Sequence, residues 1–406
     1  MWRLRSALAL GCILAAGSHA ASGEDRFTGR DRPPPPPRVQ HICPLVITAE
    51  QVRPHVEYLA SPALAGRDGE GAILAADYLA KTLRDAGLEP LFGSEYFQTI
   101  PGTTQPDGSQ PTLGRNVGAI CPGSDPQLRD EVILLAAHYD HLGVRRGQAY
   151  PGADDNSSGV SMLLETARLV SKLKHKPRRS IAFVGFDMEE ELLYGSRWFV
   201  AHPPVPLKQV KLMVTADLIG RSLGDLPLPL VFMFGSEHAP ALRTHLENIG
   251  IPSGLEVGRL GVDFIGTRSD YGPFRDQRIP FLFFSTGEHP DYHTPRDTPD
   301  RINYDQLSRI SSLMAQLMVQ VADCPETPAW NAHPALDLDE ARTMERVTRV
   351  MLSEEAAGHR KLSTTVRFVA EQTRAKTRYL QERGTVSADE RVWLRRSAQF
   401  LLFSAF

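Results

Sequence analysis

Three things are scarce in this chain, and each scarcity narrows what it can be. Cysteine is rare, four residues in 406, so a metal centre would have to be built from imidazole and carboxylate. A charge excess of one sign is missing: 45 Lys+Arg stand against 48 Asp+Glu, a net charge of -3. That balance gives no electrostatic basis for a nucleic-acid partner. The short basic stretch at 172–179 has the character of a solvated helix end. Long apolar runs are also missing beyond the N-terminus, so no stable membrane span is expected in the mature chain. What remains, 42% hydrophobic and 23% charged residues, is the composition of a globular protein with room for a large core.

The first 20 residues have the pattern of a secretory signal. Trp2-Arg3-Leu4-Arg5 is a basic n-region, 7–16 an apolar h-region, and Ser18-His19-Ala20 a small-x-small cleavage site. Export to the periplasm or the extracellular space is the expectation. Cys12 faintly resembles a lipobox cysteine, but the apolar run continues past it, which favours removal of the whole segment. Residues 21–44 are a polar linker containing five consecutive prolines at 33–37, a stiff tether with no core. Cys43, Cys121 and Cys324 would remain after cleavage. Cys43 and Cys324 flank the central domain and are the expected disulfide pair; three free thiols are the alternative.

From residue 45 to 325, strand and helix signals alternate. Thr48-Ala49-Glu50-Gln51 is a capping box opening a helix towards Leu59, and 72–86 is an amphipathic helix stopped by Gly87. Apolar strands are expected at 132–136, 181–184, 212–215, 230–234 and 281–284. Helices are expected at 160–173, 192–200, 239–248 and 304–321. Continuous apolar strands between helices indicate an α/β sandwich with a largely parallel sheet covered on both faces. Residues 326–406 change texture. After a linker around Trp330 they are strongly charged with helical spacing and a capping box at Ser387 and Glu390, which suggests a helical C-terminal extension.

Ligands bind beyond the carboxyl ends of the strands in such sheets, and that is where the chemistry-bearing residues cluster. His138-Tyr139-Asp140 ends one strand, a pattern in which the histidine can ligate a metal while Asp140 accepts its second N–H. Gly152-Ala153-Asp154-Asp155-Asn156 is a polar loop entering a helix. Glu189-Glu190-Glu191 follows a strand, and is either a helix's acidic first turn or a base beside a ligand. Asp217 follows another strand, and His293 sits in Tyr292-His293-Thr294-Pro295. Many carboxylates with few histidines suggest two divalent ions sharing one carboxylate, a pair suited to hydrolysis.

The blocks 137–143, 152–156, Glu189-Glu190 with Gly195-Ser196, Asp217-Leu218-Ile219-Gly220, Ser269-Asp270-Tyr271 and Tyr292-His293-Thr294-Pro295 resemble, in kind and order, those of the M28 zinc peptidases, the aminopeptidase Y-like enzymes. The resemblance covers about residues 48 to 325. It implies a three-layer αβα sandwich and two Zn2+ ions. His138 and Asp217 would hold one ion, Glu190 and His293 the other, with Asp155 bridging. Glu189 would be the general base, Tyr292 a donor to the oxyanion, and the Asp155–Asn156 peptide cis. Leu192 stands where relatives carry glycine, so a shift of register to Glu190 and Glu191 stays open. Tyr271 stands where many relatives carry histidine, and the protease-associated insert of some relatives is absent between Phe97 and Arg115.

The implied activity is removal of N-terminal residues from peptides. A carboxypeptidase or dipeptidase of the same fold would need a basic anchor, for which Arg221, Arg259 and Arg268 are candidates. A glutaminyl cyclase would use a single zinc, and a peptide-binding ectodomain without catalysis would have lost ligands.

Overall fold

The computed structural model describes residues 45–405. The expected signal, the proline-rich linker and Cys43 lie outside that range. Among the described residues, no helix is long and apolar enough to cross a membrane.

Helices α1 (Ala49–Leu59) and α2 (Glu70–Asp85) come first, followed by strands β1 (Glu89–Pro90), β2 (Phe97–Pro101), β3 (Thr112–Cys121) and β4 (Val132–His138). A small hairpin of β5 (Val144–Arg145) and β6 (Gln148–Ala149) precedes α3 (Gly159–Ser171). Next come β7 (Ser180–Phe186), α4 (Tyr194–Ala201), β8 (Val210–Ala216), β9 (Leu230–Phe234), α5 (Arg243–Asn248) and β10 (Glu256–Leu260). Then follow α6 (Tyr271–Asp276), β11 (Phe281–Ser285), α7 (Tyr304–Asp323), α8 (Asp339–Ala356), α9 (Thr364–Arg383) and α10 (Ala388–Ala405). The α1 capping box forms as expected, with Thr48 N–H donating to Gln51 Oε1 at 2.8 Å.

The main sheet runs β1-β3-β7-β4-β8-β11-β9-β10, with β2 paired to β3. Its centre, β7-β4-β8-β11, is parallel, while β3 joins β7, and β9 joins β11, antiparallel. The sheet is therefore mixed around a parallel centre. The parallel centre has the functional consequence: β7, β4 and β8 end at one edge, so residues following them meet. Of the strands that escaped the sequence reading, β3 carries glycine, arginine and asparagine, and β10 glycine and arginine, among their apolar residues, which breaks the continuous apolar signature. The helix expected over 239–248 is shorter, because Pro240 starts a separate 3-10 turn ahead of α5.

One face of the sheet is covered by α1, α2, α3 and α7, through residues such as Val56, Leu79, Leu163 and Met314. The other face shares a second apolar cluster with α4, α6 and all three C-terminal helices. Met344, Val347 and Met351 of α8, Leu380 of α9, and Leu394 and Leu401 of α10 pack in the same cluster as Phe232, Phe234 and Phe283. Each such side chain contributes roughly 1.5–3 kcal/mol by leaving water. The charged extension is thus part of the third layer, because each helix turns one apolar stripe inward and its charges outward. Its capping box also forms, with Ser387 N–H donating to Glu390 Oε2 at 2.9 Å.

Candidate active site

The edge where β4, β7 and β8 end collects the expected residues. His138 closes β4, and Asp217 directly follows β8, its parallel neighbour. The Glu189–Glu190 pair follows β7, the neighbour on β4's other side. Those two glutamates lie in the turn before α4, not in its first turn, since α4 begins at Tyr194. Asp155 lies in the irregular turn leading into α3, and His293 in the loop after β11.

His138, Asp155 and Asp217 place donor atoms within 4.8 Å of one another, and so do His141, Asp155 and Glu190. Asp155 is common to both groups. One of its oxygens is 3.3 Å from His138 Nε2, and the other is 3.0 Å from His293 Nε2. His138 Nε2 is 3.5 Å from Asp217 Oδ2, and His293 Nε2 is 3.3 Å from Glu190 Oε1. Asp154, the neighbour of Asp155, turns elsewhere and accepts from the N–H of Gly220 at 2.6 Å. Glu191 is exposed.

Two devices hold Asp155. Its backbone N–H and that of Asp154 donate to the Asp297 carboxylate at 3.0–3.1 Å. Its carbonyl accepts from Arg67 Nη2 at 2.9 Å. Arg67 is wholly buried and also donates to the carbonyls of Tyr139, Leu59, Pro151 and Gly152, so one guanidinium joins the ends of two site segments. Burial lowers its pKa to about 10. The close approach requires glycine at 152, where φ is +59° and a Cβ would meet the Asp155 carbonyl at 2.1 Å. The Asp155–Asn156 peptide is cis. The Asn156 amide donates to the Ala216 carbonyl at 3.0 Å and so ties this loop to the end of β8.

The Asp140 carboxylate lies 3.6 Å from His138 Nδ1, longer than a hydrogen bond but the neighbour expected of it. It also accepts from the backbone N–H groups of Glu189 and Glu190, at 3.1 and 3.2 Å. Asp140 therefore sets the glutamate turn. Tyr271 faces away from the chemistry: its hydroxyl donates to Gly266 and accepts from the Arg268 N–H, and its ring stacks on Phe281.

Three residues without an assigned role from sequence also enter the site. His141 Nδ1 is 2.8 Å from Glu190 Oε1, so the second group has two imidazoles. Asp270 is fully buried with both carboxylate oxygens unpartnered, and burial raises its pKa to about 7. Asp187 is likewise pushed up to about 7, first by burial and then by the charge of Asp140. His141 and Asp270 lie in motifs visible in the sequence, though their direction was not; Asp187 lies in none of them.

The electrostatics suit cations. Burial alone would lower the pKa of His138, yet Glu189 and Asp217 outweigh it and hold that pKa well above the usual value. Burial likewise opposes protonation of His293, but the Asp155 and Glu190 carboxylates beside it, at 3.0 and 3.3 Å, take it to about 10. Glu189 is raised well above the carboxylate range by burial, against His138, and further by Asp270 and Asp217. His138 Nε2, Asp155 Oδ2 and Asp217 Oδ1 are buried without hydrogen-bond partners, which is costly unless another group satisfies them. Clustered, unsatisfied imidazole and carboxylate donors are the chemistry that two zinc ions fit.

The model of the peptidase family M28 matches residues 116–318, half of the 406. The chain belongs to peptidase family M28. Its C-terminal helices lie outside the matched span. Among relatives of this M28 chain is aminopeptidase YwaD of Bacillus subtilis, 27% identical over 49% of this chain and 43% of that protein. Another is leupeptin-inactivating enzyme 1 of Streptomyces exfoliatus, 29% identical over 44% of this chain and 37% of that protein. The chain thus spans less than half the length of either. Among solved structures, the LapA aminopeptidase of Legionella pneumophila has the same fold, with a TM-score of 0.54 at 23% identity over 69% of this chain and 73% of that one. So does a glutaminyl cyclase of Porphyromonas gingivalis, with a TM-score of 0.54 at 20% identity over 67% of this chain and 98% of that one. The M28 fold alone therefore leaves the reaction open.

Proposed function

We propose that this protein is an exported zinc-dependent aminopeptidase whose two ions share Asp155, with His138 and Asp217 on one side and Glu190 and His293 on the other. The observation that carries the reading is the single carboxylate common to two donor groups, beside a half-buried Glu189. Zinc ions held there would polarise the scissile carbonyl and lower the pKa of the attacking water. Glu189 takes the water's proton and returns it to the leaving amine, a double task suited to a carboxyl raised by burial. Tyr292 donates a hydrogen bond to the oxyanion. Asp140 fixes the turn that carries Glu189, and Arg67 with Asp297 fixes Asp155.

Cleavage from the amino end is favoured by the charges around the site. A carboxypeptidase needs a cation free for the substrate carboxylate, and the three candidate arginines are engaged. Arg221 pairs with Asp225 and Asp291, Arg259 with Asp339, and Arg268 with Glu288. The site's surplus of carboxylates suits a protonated α-amine. The names of several relatives, aminopeptidases among them, agree with that choice.

The test compares aminoacyl-nitroanilides with N-blocked peptides, with and without chelator, alongside elemental analysis. The expected result is chelator-sensitive release from free amino ends only, with about two zinc ions per chain at saturation. Turnover of blocked peptides, or saturation at one ion, would overturn it.

A further inference from the structure

A cavity of about 170 Å³ lies beside Asp217 and Tyr292. Its inner wall is Phe232 and Phe234 of β9 and Phe283 of β11. Its outer wall is Met344 and Val347 of α8 and Leu401 of α10. These six side chains are all apolar and make up the two walls, while Asp217, Arg268, Ser285, Glu288, Tyr292 and Gln399 supply the polar part of the lining. An apolar cavity of about 150 Å³ accommodates a benzene ring, so this one accommodates the side chain of leucine, methionine or phenylalanine. A charged side chain placed between these two apolar walls would be desolvated. At the rim, Arg268 and Glu288 are already paired at 3.5 Å.

The outer wall is held in place by a polar clamp. Asp263 precedes the cavity-lining Phe264, and it accepts from both Arg391 and Arg395 of α10. Arg391 also pairs with Glu340 of α8. Gln399 donates to the carbonyls of Asp263 and Phe264 at 3.2 and 3.3 Å. The two helices and the loop between β10 and α6 are thereby joined around one side of the cavity.

We propose that α8 and α10, which lie beyond the family-matched residues, are the specificity element of this enzyme. They close the outer wall of a pocket that receives the medium-sized apolar side chain of the substrate residue at the scissile bond. The proposal rests on the aminopeptidase reading for its substrate and on the cavity for its selectivity, and two measurements separate them.

The first is kcat/KM for leucyl-, methionyl-, phenylalanyl- and alanyl-nitroanilide with the zinc-loaded protein. The larger three should exceed alanyl by about tenfold or more, since each methylene in an apolar pocket is worth about that much. Val347→Phe, which fills the pocket, should lower the leucyl-to-alanyl ratio by about tenfold. Val347→Ala and Leu401→Ala, which enlarge it, should shift preference towards phenylalanyl. A uniform change across substrates in folded variants would overturn the proposal, as would equal wild-type rates on leucyl and alanyl. The second is thermal stabilisation by L-leucinol and by L-alaninol, which needs no turnover. Leucinol should raise the Tm more, and Val347→Phe should erase the difference; equal shifts in wild type would overturn the pocket. A protein that shows the leucinol shift but cleaves no aminoacyl-nitroanilide would retain the pocket and overturn the aminopeptidase reading.

Discussion

The two donor groups that share Asp155, the two halves of the proposed metal centre, differ in how they are built. In the inner half, His138 ends one strand of the parallel centre and Asp217 follows its neighbour, so the sheet's own hydrogen bonds set their spacing. The His138 side chain is 1% exposed. In the outer half, Glu190 and His293 both come from loops, and the His293 side chain is 35% exposed. Loop ligands depend on supporting hydrogen bonds: Asp140 under the glutamate turn, and Arg221 and Arg296 on Asp291 two residues before His293. Position by sheet is rigid; position by loop is conditional on those supports.

The largest effect should come from the proposed base beside His138 and Asp217. Glu189→Gln keeps the volume but removes the proton acceptor, so turnover should fall by about 100-fold or more. Elemental analysis should still find both ions, whereas Glu190→Gln should weaken one. Should Glu189→Gln lose metal while Glu190→Gln keeps both ions and loses turnover, the roles are exchanged.

Next comes the support of the outer half. Asp140→Asn replaces one acceptor under the Glu189–Glu190 turn with a donor. Metal affinity or turnover should fall by about 10–100-fold, with the loss confined to one ion per chain. Loss of both ions in titrations followed by elemental analysis would show that the two halves are not independent.

Dialysis against a weak chelator sharpens the contrast further. The outer ion should leave first and produce a plateau near one ion per chain, and His293→Ala should start at that plateau. Simultaneous loss of both ions would remove the distinction.

The smallest effect is on stability. The Asp187 carboxyl, which lies just ahead of the glutamate turn, is raised to about 7, above an unfolded value of about 3.9. The folded state therefore holds the proton more tightly, and its contribution to stability is full below pH about 4 and lost as pH rises to about 7. Urea midpoints of metal-free protein should decline across that window. Asp187→Asn should flatten the decline, and an unaltered slope would assign it to other groups.

Much of this centre was legible because its residues sit at the ends of apolar strands, and apolar strands announce themselves. His138, Glu189, Glu190 and Asp217 each follow such a run, and the capping boxes at Thr48 and Ser387 are local patterns that form as local patterns should. What stayed hidden depends on distant partners. Arg67 carries no pattern of its own, and its role arises from carbonyls contributed by residues 59, 139, 151, 152 and 155. Asp140 was expected beside His138 and lies 3.6 Å from its Nδ1, but its hydrogen bonds to the Glu189 and Glu190 backbone come from a distant loop and left no local signal. The extension's amphipathic pattern revealed an inward face and not which face of the sheet would receive it.

That last point bears on how the molecule is made. The strands carrying Phe232, Phe234 and Phe283 are synthesised well before α10, which begins only at Ala388. Until the final helix arrives, a broad aromatic surface remains uncovered on a sheet whose other face is already complete. A chain stalled or clipped within α9 would present that surface to its neighbours, and a nascent molecule in that state is prone to aggregate. Completion of the third layer thus waits on the synthesis of α10.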